Sequence, residues 1–475
     1  MNSLYITVRT MLLLLLFSWS VRAQTTTVNW TNVHQQMDGW GAEDWLSAYS
    51  LTSAQANTFF SPTSGIGLEY IRTGNYACPV TGACTVATSN VPDLTTLQEA
   101  VALGAKVEVN VQPPADLQYN GNFANGTPGP DGNCIESTNW SAFATFTVNW
   151  INMLAANGVP VSVLSVANEP NLNQPDSLGG CVWTAAGLDS YIGGYLGPAL
   201  ASAGLTPAVM LPESSNFFDT DLVSTCLNDS TCAQFVSIAA GHGYGLGSVD
   251  GTNGGYCCHT AVAPPSSTSG KRIWMSEVNG GFTFNSTANL WNFDPSMADA
   301  LVWAHNIHDY LTVSNVSGWE YWELADCCSL ESGAPFNDGL TDANFDTSQR
   351  MYAIGNWSKF VRSGYYRIDA TANPQSEVYV SAFQDTPSGT LVIVAINNGG
   401  SNVSQTFSIT NGPNFTSVTP WITSASLSLA QQSAISVSAN SFTSTLAASS
   451  VTTFVGSVKS TPPAPPTKLS ATVVH

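Results

Sequence analysis

Two glutamates stand in contexts that suit paired-carboxylate chemistry. Glu169 closes the segment Val166-Ala167-Asn168-Glu169-Pro170 after the apolar run Val161–Ala167, and Glu277 follows Ile273-Trp274-Met275-Ser276 and precedes Val278-Asn279-Gly280-Gly281. Two carboxyls facing one another can break a glycosidic bond, the protonated one donating to the leaving oxygen while the ionised one works on the opposite side of the anomeric carbon. At a separation of roughly 5 Å the second attacks directly and configuration is retained, and at roughly 6.5–9.5 Å it activates water and configuration inverts. A lone glutamate at a strand end more often pairs with a cation or caps a helix. Here that alternative is weakened, because 32 acidic residues face only 12 Lys and Arg. Glu43, Glu108, Glu213, Glu320 and Glu323 also lie near strand-like runs and compete for the same roles. His242 and Tyr244, two apart on one run, point the same way; by itself such a pair reads as a packed strand end.

The elements that must position these carboxyls are short β-branched or apolar runs alternating with helical patterns. Strands are expected at Gln36–Gly41, Gly67–Arg72, Lys106–Val111, Val161–Ala167, Ala208–Leu211, Ile238–His242, Ile273–Ser276 and Gly318–Trp322. Helices are expected at Leu94–Leu103, Trp140–Asn157, Ala185–Ala203, Pro295–Ser314 and Ser348–Arg362. This is the order of an α/β (β/α)8 TIM barrel, whose chemistry sits at the C-terminal ends of its strands. Glu169 and Glu277 would then end strands four and seven. A doubly wound open sheet would want a Gly-rich phosphate turn after its first strand, and Gly39-Trp40-Gly41 is not one. After Gly364 the texture changes to alternating strands at Glu377–Phe383, Thr390–Ile396, Ser404–Ile409, Ser417–Thr423 and Ser450–Val455, a side antiparallel β-sandwich. Thr25–Trp30 is expected to add an edge strand to it. The resulting organisation is a signal peptide over 1–23, a joining strand over 24–32, a catalytic barrel over 33–362, the sandwich over 363–458 and a proline-rich tail over 459–475.

Composition narrows the class. The 475 residues carry a formal charge of −20 with 9% charged residues, against about 25% in ordinary domains. A phosphate-backbone partner needs Lys and Arg that this chain lacks, so nucleic acid is excluded as a partner. Met1 to Ala23 has a basic start, an apolar run over Met11–Trp19 and the small-residue site Val21-Arg22-Ala23, the pattern of a cleaved secretion signal. The run is about half the ~20 residues that span a bilayer. We therefore expect an extracellular protein with no membrane association after cleavage, acting as a monomer. Export turns the ten cysteines into disulfide candidates. Cys78 with Cys84 and Cys226 with Cys232 are six apart and suit local loops; Cys134–Cys181 and a cross-link between the doublets Cys257-Cys258 and Cys327-Cys328 complete the expectation. Cys257-Cys258-His259 lacks the spaced ligand pairs of structural zinc, and no metal or organic cofactor is expected. Nine Asn-x-Ser/Thr sequons occur, Asn356 among them.

The motifs, in order, resemble glycoside hydrolase family 30. They are Met37-Asp38-Gly39-Trp40-Gly41, the stretch from Phe60 to Leu68 leading to Arg72, and Gly104-Ala105-Lys106-Val107. Asn168-Glu169-Pro170, Gly241-His242-Gly243-Tyr244-Gly245 and Trp274-Met275-Ser276-Glu277 follow, and Trp357 to Ile368 resembles the passage from the last barrel helix into the sandwich. The resemblance reaches to about Val455. It implies a retaining mechanism with Glu169 as acid/base and Glu277 as nucleophile. It further implies that Asn168 binds the sugar 2-hydroxyl, that Arg72 beside the nucleophile keeps it ionised, and that Tyr244 hydrogen-bonds Glu277, with His242 supporting. Trp40, Trp45, Trp274 and Trp322 offer flat faces to a sugar ring, and Trp45 and Trp322 are the candidates for substrate stacking.

Within the family the chain looks most like the xylanase branches, which implies a polysaccharide partner, β-1,4-xylan. Two departures matter. Where the family usually has Trp-Ser-Pro-Pro after strand three, this chain has Val111-Gln112-Pro113-Pro114, so an aromatic wall is lost. The glucuronoxylan-specific branch grips a uronate with an arginine after strand eight, whereas here Trp322-Glu323-Leu324-Ala325-Asp326-Cys327-Cys328 holds none and its carboxylates would repel a uronate. No requirement for glucuronate side groups is expected. The same fold acting on β-1,6-galactan or β-1,6-glucan, or a catalytically silent glycan-binding protein, stay open as alternatives.

Overall fold

The structure, a computed structural model, describes residues 24–44, 50–122, 126–173, 180–217, 219–244, 261–280, 284–285, 290–291, 293–326 and 339–458. Strands are numbered in chain order. β1 (Gln24–Gln36) precedes a closed, all-parallel barrel of β2 (Gly39–Glu43), β3 (Tyr70–Gly74), β4 (Lys106–Asn110), β5 (Val161–Ser165), β6 (Ala208–Ser214), β7 (Val236–His242), β8 (Arg272–Glu277) and, after the short pair β9 (Phe284–Asn285) and β10 (Leu290–Trp291), β11 (Gly318–Tyr321), which closes on β2. The eight expected strands are all present, with bounds shifted by a few residues. The largest shift is at the first, because Gln36 still belongs to β1 and the barrel strand begins only at Gly39.

Near-complete burial of these strands follows from their sequences, which are apolar toward the helices and filled toward the axis. Tyr70, Val163, Met210, Ile238, Ala240 and Trp274 form a plug inside the barrel, and a larger apolar layer lies between strands and helices. The helices start where short polar side chains satisfy free backbone N–H groups. Asp93 accepts from Thr96 N ahead of helix Leu94–Ala102, Ser348 accepts from Met351 N ahead of helix Gln349–Ser358, and Thr52 with Gln55 makes a reciprocal capping box ahead of Ser53–Phe60. Among the described residues no helix is long and apolar enough to cross a membrane.

The second layer comprises β12 (Tyr366–Ala370), β13 (Val378–Asp385), β14 (Thr390–Asn397), β15 (Val403–Thr410), β16 (Phe415–Ser424), β17 (Leu427–Gln431), β18 (Ile435–Ser436), β19 (Ser441–Leu446) and β20 (Ser450–Val458). Together with β1 they run in the order β17-β16-β20-β14-β13-β12-β1-β15-β19, with β18 on β16. Phe407 and Phe442 stack in the core of this layer, with Phe454 tilted against both. The expectation of an edge position for the N-terminal strand is corrected: β1 lies between β12, to which it is antiparallel, and β15, to which it is parallel. Its alternating buried Thr26, Val28 and Trp30 give it an inward face that an edge would waste.

Helix Gln349–Ser358 joins the two layers. Asn356 donates to Trp421 O at 3.2 Å and Thr453 Oγ1 at 2.9 Å and accepts from Thr423 Oγ1 at 2.6 Å, while Trp357 donates to Ser381 Oγ at 3.2 Å. Buried and fully engaged, Asn356 is a sequon that no glycan can reach in the folded protein. Disulfides Cys78–Cys84, Cys134–Cys181 and Cys226–Cys232 are formed as expected. The doublets Cys257-Cys258 and Cys327-Cys328, the signal-like segment 1–23, Trp45 and the tail 459–475 lie outside the described residues.

Candidate active site

At the C-terminal mouth of the barrel the ends of five strands converge on one guanidinium. Arg72, in β3 and 1% exposed, meets a polar side chain from each of these five neighbouring elements. Nη1 reaches Glu43 Oε2 at 2.5 Å and Glu277 Oε2 at 2.6 Å; Nη2 reaches Asn168 Oδ1 at 2.8 Å and Glu213 Oε2 at 3.4 Å; Nε lies 3.2 Å from Glu108 Oε1. The register makes this unavoidable, since Glu43 is paired with Arg72 and Arg72 with Glu108 in adjacent parallel strands.

Around this cation the sequence candidates fall together. Glu277 ends β8, and its second oxygen accepts from Tyr244 Oη at 2.9 Å. His242, at the end of β7 and fully buried, sets Nδ1 3.2 Å from Glu169 Oε1 and 3.4 Å from Glu277 Oε1, and Nε2 3.6 Å from Glu213 Oε1. One carboxylate oxygen each of Glu169 and Glu277 and a ring nitrogen of His242 all lie within 4.8 Å of one another. Glu169 sits just beyond β5 in the left-handed region, φ 47°, as does Glu213 with φ 56°, a conformation costly for residues with a Cβ and typical of functional sites. The turn is held by Glu169 N–H donating to Glu213 O at 2.9 Å.

The tryptophans divide. Trp40 and Trp274 are fully buried away from the mouth, Trp40 donating to Val361 O at 2.8 Å and Trp274 to Asp38 Oδ2 at 2.7 Å, so neither offers a face to a sugar. Trp322 follows β11 at the mouth, 8% exposed, with its N–H on Val278 O at 3.0 Å.

Electrostatics sort the carboxyls. Burial strongly disfavours the charge on Glu213, yet Arg72, His242 and the Ser165 hydroxyl together hold it down to about 2. Burial also works against an imidazolium, but Glu277, Glu169 and Glu213 overcome it and raise His242 to about 10. Glu43 is pushed up to about 7, chiefly by burial and further by Glu277 and Glu213, against the pull of Arg72. Glu320 is pushed up to about 8 and Glu108 well above its usual range, again mainly by burial, and the two carboxyls share a hydrogen bond inside the barrel. A neutral acid pair therefore lies beneath an ionised layer of Arg72, Glu213 and His242.

Sequence reasoning missed Tyr76. Its half-buried ring packs over Gly74, where a Cβ would come within 2.5 Å of Tyr76 Cζ, and burial, then Glu43 and the other nearby carboxylates, push its phenol up. The spacing Arg72-x-Gly74-x-Tyr76 was the available signal. Glu323 and Asp326, in the segment after β11, are both completely buried, and Asp326 Oδ1 accepts Gly339 N–H at 2.5 Å. Oxygen and nitrogen atoms 4.8 Å apart are close enough to share a divalent ion, but the guanidinium on Glu277 and the imidazolium between the glutamates already supply the positive charge there. In the other close group, Asp189 with Cys226 and Cys232, the sulfurs are joined in a disulfide and are not thiolate ligands.

No protein-family model matches the chain. It is 28% identical over 368 residues, 76% of each sequence, to glucuronoxylanase XynC of Bacillus subtilis. It is 26% identical over 273 residues to a putative glucosylceramidase of Caenorhabditis elegans, covering 54% of this chain and 49% of that one. Among solved structures, the glycoside hydrolase family 30 subfamily 8 xylanase Xyn30A of Clostridium acetobutylicum superposes with a TM-score of 0.73 at 28% identity, over 91% of this chain and 100% of that one. The family 30 endoxylanase of Clostridium papyrosolvens gives 0.72 at 26% identity, over 91% and 100%. The endo-β1,6-glucanase BT3312, at 19% identity and a TM-score of 0.66, shares the fold.

Proposed function

The chain belongs to glycoside hydrolase family 30, and from that premise we propose that it is a secreted endo-β-1,4-xylanase working by double displacement. The observation that carries the mechanism is the separation of the two carboxylates, with oxygens of Glu169 and Glu277 within 4.8 Å of one another. That is nearer the roughly 5 Å of a pair that attacks directly than the 6.5–9.5 Å of a pair that activates water. In the first step Glu277 attacks the anomeric carbon, the glycosidic C–O bond breaks, and Glu169 gives its proton to the departing oxygen. In the second, Glu169 takes a proton from water, which attacks the same carbon and frees Glu277. Arg72 and Tyr244, on opposite oxygens of Glu277, hold the carboxyl in place for attack. Asn168, oriented by Arg72, is available to the 2-hydroxyl. The signal-like N-terminus and the three disulfides support export.

Xylan is favoured over other β-glycans by the xylanases among the relatives of more than 25% identity. Independence from glucuronate rests on charge. Of the described cations, Arg72 and Arg350 lie at the mouth end and both are buried, Arg350 on Asp299 at 2.7 Å. Lys106, Lys271 and Arg272 stand at strand starts, at the opposite end, and Lys359, Arg362 and Arg367 follow the last barrel helix. The segments 45–49, 123–125, 174–179, 245–260, 281–292 and 327–338 contain no Lys or Arg. A uronate carboxylate would find no partner of the kind that grips it bidentately.

The test is hydrolysis of linear xylan, glucuronoxylan, β-1,6-galactan and β-1,6-glucan by wild type, Glu169→Gln and Glu277→Gln, with proton NMR of the first-formed anomer. Cleavage of linear and substituted xylan at comparable rates, a β product and loss of turnover in both variants are expected. An initial α product would refute retention, and exclusive cleavage of glucuronoxylan or of a β-1,6-glycan would refute the specificity.

A further inference from the structure

We propose that Glu43 is a positioning residue that competes with the nucleophile Glu277 for a single nitrogen of Arg72, and so governs how firmly that nucleophile is held as a carboxylate. The inference rests on the reading of Glu277 given above.

Geometry makes the competition specific. Nη1 is the only Arg72 nitrogen placed between two carboxyls at full hydrogen-bond strength, 2.5 Å to Glu43 and 2.6 Å to Glu277. The other partners of Arg72 are a neutral amide, a carboxylate at 3.4 Å and a carboxyl at 3.2 Å that is itself bonded to Glu320. Glu43 is 1% exposed, its Oε1 has no hydrogen-bond partner, and it does not reach solvent or a sugar. Arg72 and His242, two cations, cannot neutralise Glu43, Glu108, Glu213 and Glu277 together in a dry interior, where unpaired charge is costly. Some of the four must carry protons, and the one that shares Nη1 with the nucleophile matters most to it.

The charged and titratable groups facing Glu43 are Arg72 from β3, Glu277 from β8, Glu213 from β6, Glu320 from β11 and Tyr76 beyond β3. With burial and two carboxylates set against Arg72, Glu43 titrates at about 7. Below that pH it is neutral, a weak acceptor, and the guanidinium charge is committed to Glu277. Above it a second carboxylate divides Nη1, and less of the guanidinium's charge is left to Glu277. The pH dependence of kcat/KM then contains the ionisation of Glu43 near neutrality.

Glu43→Gln keeps the acceptor on Arg72 and removes the titration. With xylan as substrate, log(kcat/KM) of the wild type should fall more steeply across pH 7 than that of Glu43→Gln, the gap between the two levelling off once Glu43 is ionised. KM should change by less than about twofold, and Glu43→Asp should restore the steeper limb. A purely structural Glu43 would scale activity by one factor at every pH, and two profiles of identical shape overturn the proposal. Carboxyl carbon-13 NMR of protein labelled at its glutamates needs no substrate, so it separates this inference from the assignment of xylan. One resonance titrating near neutrality should be present in wild type and missing from Glu43→Gln; if no glutamate carboxyl of the wild type titrates between pH 6 and 8, the proposal is wrong even if the variant does not fold.

Discussion

Tyr244 Oη donates to Glu277 Oε1 at 2.9 Å, on the oxygen not engaged by Arg72. Hydrogen bonds to charged groups contribute about 1.5–3 kcal/mol, so Tyr244→Phe should lower kcat by about 10- to 100-fold while KM moves little. Steady-state kinetics on xylan decide it, and a kcat within twofold of wild type would show that the phenol is idle.

His242 gives a stability effect with a definite sign. Its folded value of about 10 exceeds the ordinary 6.5 of an unfolded chain, so its contribution is complete below about pH 6.5 and is lost as pH rises through 10. Wild type should therefore lose melting temperature between pH 7 and 10. His242→Gln, which has no imidazolium to lose, should start lower and fall less over that interval; parallel curves in calorimetric scans would contradict the charge assigned to this ring.

His308 works in the opposite direction. Buried in helix Met297–Thr312 and facing Tyr379 of β13 with a ring-centroid distance of 5.7 Å, it is held down to about 4, first by desolvation and then by His305 and Arg367 despite Asp309. The unfolded chain binds the proton first, so stability falls as pH drops from 6.5 to 4, by as much as ~3 kcal/mol from this group. Denaturant unfolding of His308→Gln should show a flatter dependence over the same range, and an unchanged slope would rule out the neutral buried imidazole.

The Cys134–Cys181 bridge closes a loop with a sequence separation of 47 and ties the segment after β4 to the one that follows Glu169. Chain-entropy arguments give about 4 kcal/mol for such a loop. Replacing both cysteines by serine should lower unfolding free energy by about 2–4 kcal/mol and raise KM more than it lowers kcat, because the loop borders the catalytic turn without supplying a reacting group. Urea titration and kinetics together test both halves of this expectation.

What the sequence made legible was the frame and the two ends that matter most. Glu169 and Glu277 each follow closely on a mainly apolar run, and such runs can be read without knowing their partners. Less visible were β17 and β19, Leu427–Gln431 and Ser441–Leu446, whose Ser/Thr-rich alternation carries too little apolar contrast to separate strand from loop. Position along a strand did not separate Glu43 and Glu213 from Glu169 and Glu277. All four lie at strand ends, and what distinguishes Glu169 and Glu277 is that both meet Nδ1 of His242, a property of register between strands far apart in sequence.

β1 has a consequence for how the molecule is made. Its Thr26 hydroxyl accepts from Gln405, 379 residues later, and the strand is inserted between two others, β12 and β15, that are synthesised more than 300 residues after it. The second layer is therefore open until synthesis is nearly finished, and its N-terminal strand must wait unpaired while the barrel forms. Pairings of such long range are slow to close, so during folding the chain passes through a stage in which β12 and β15 expose bare edges to any strand that arrives before β1.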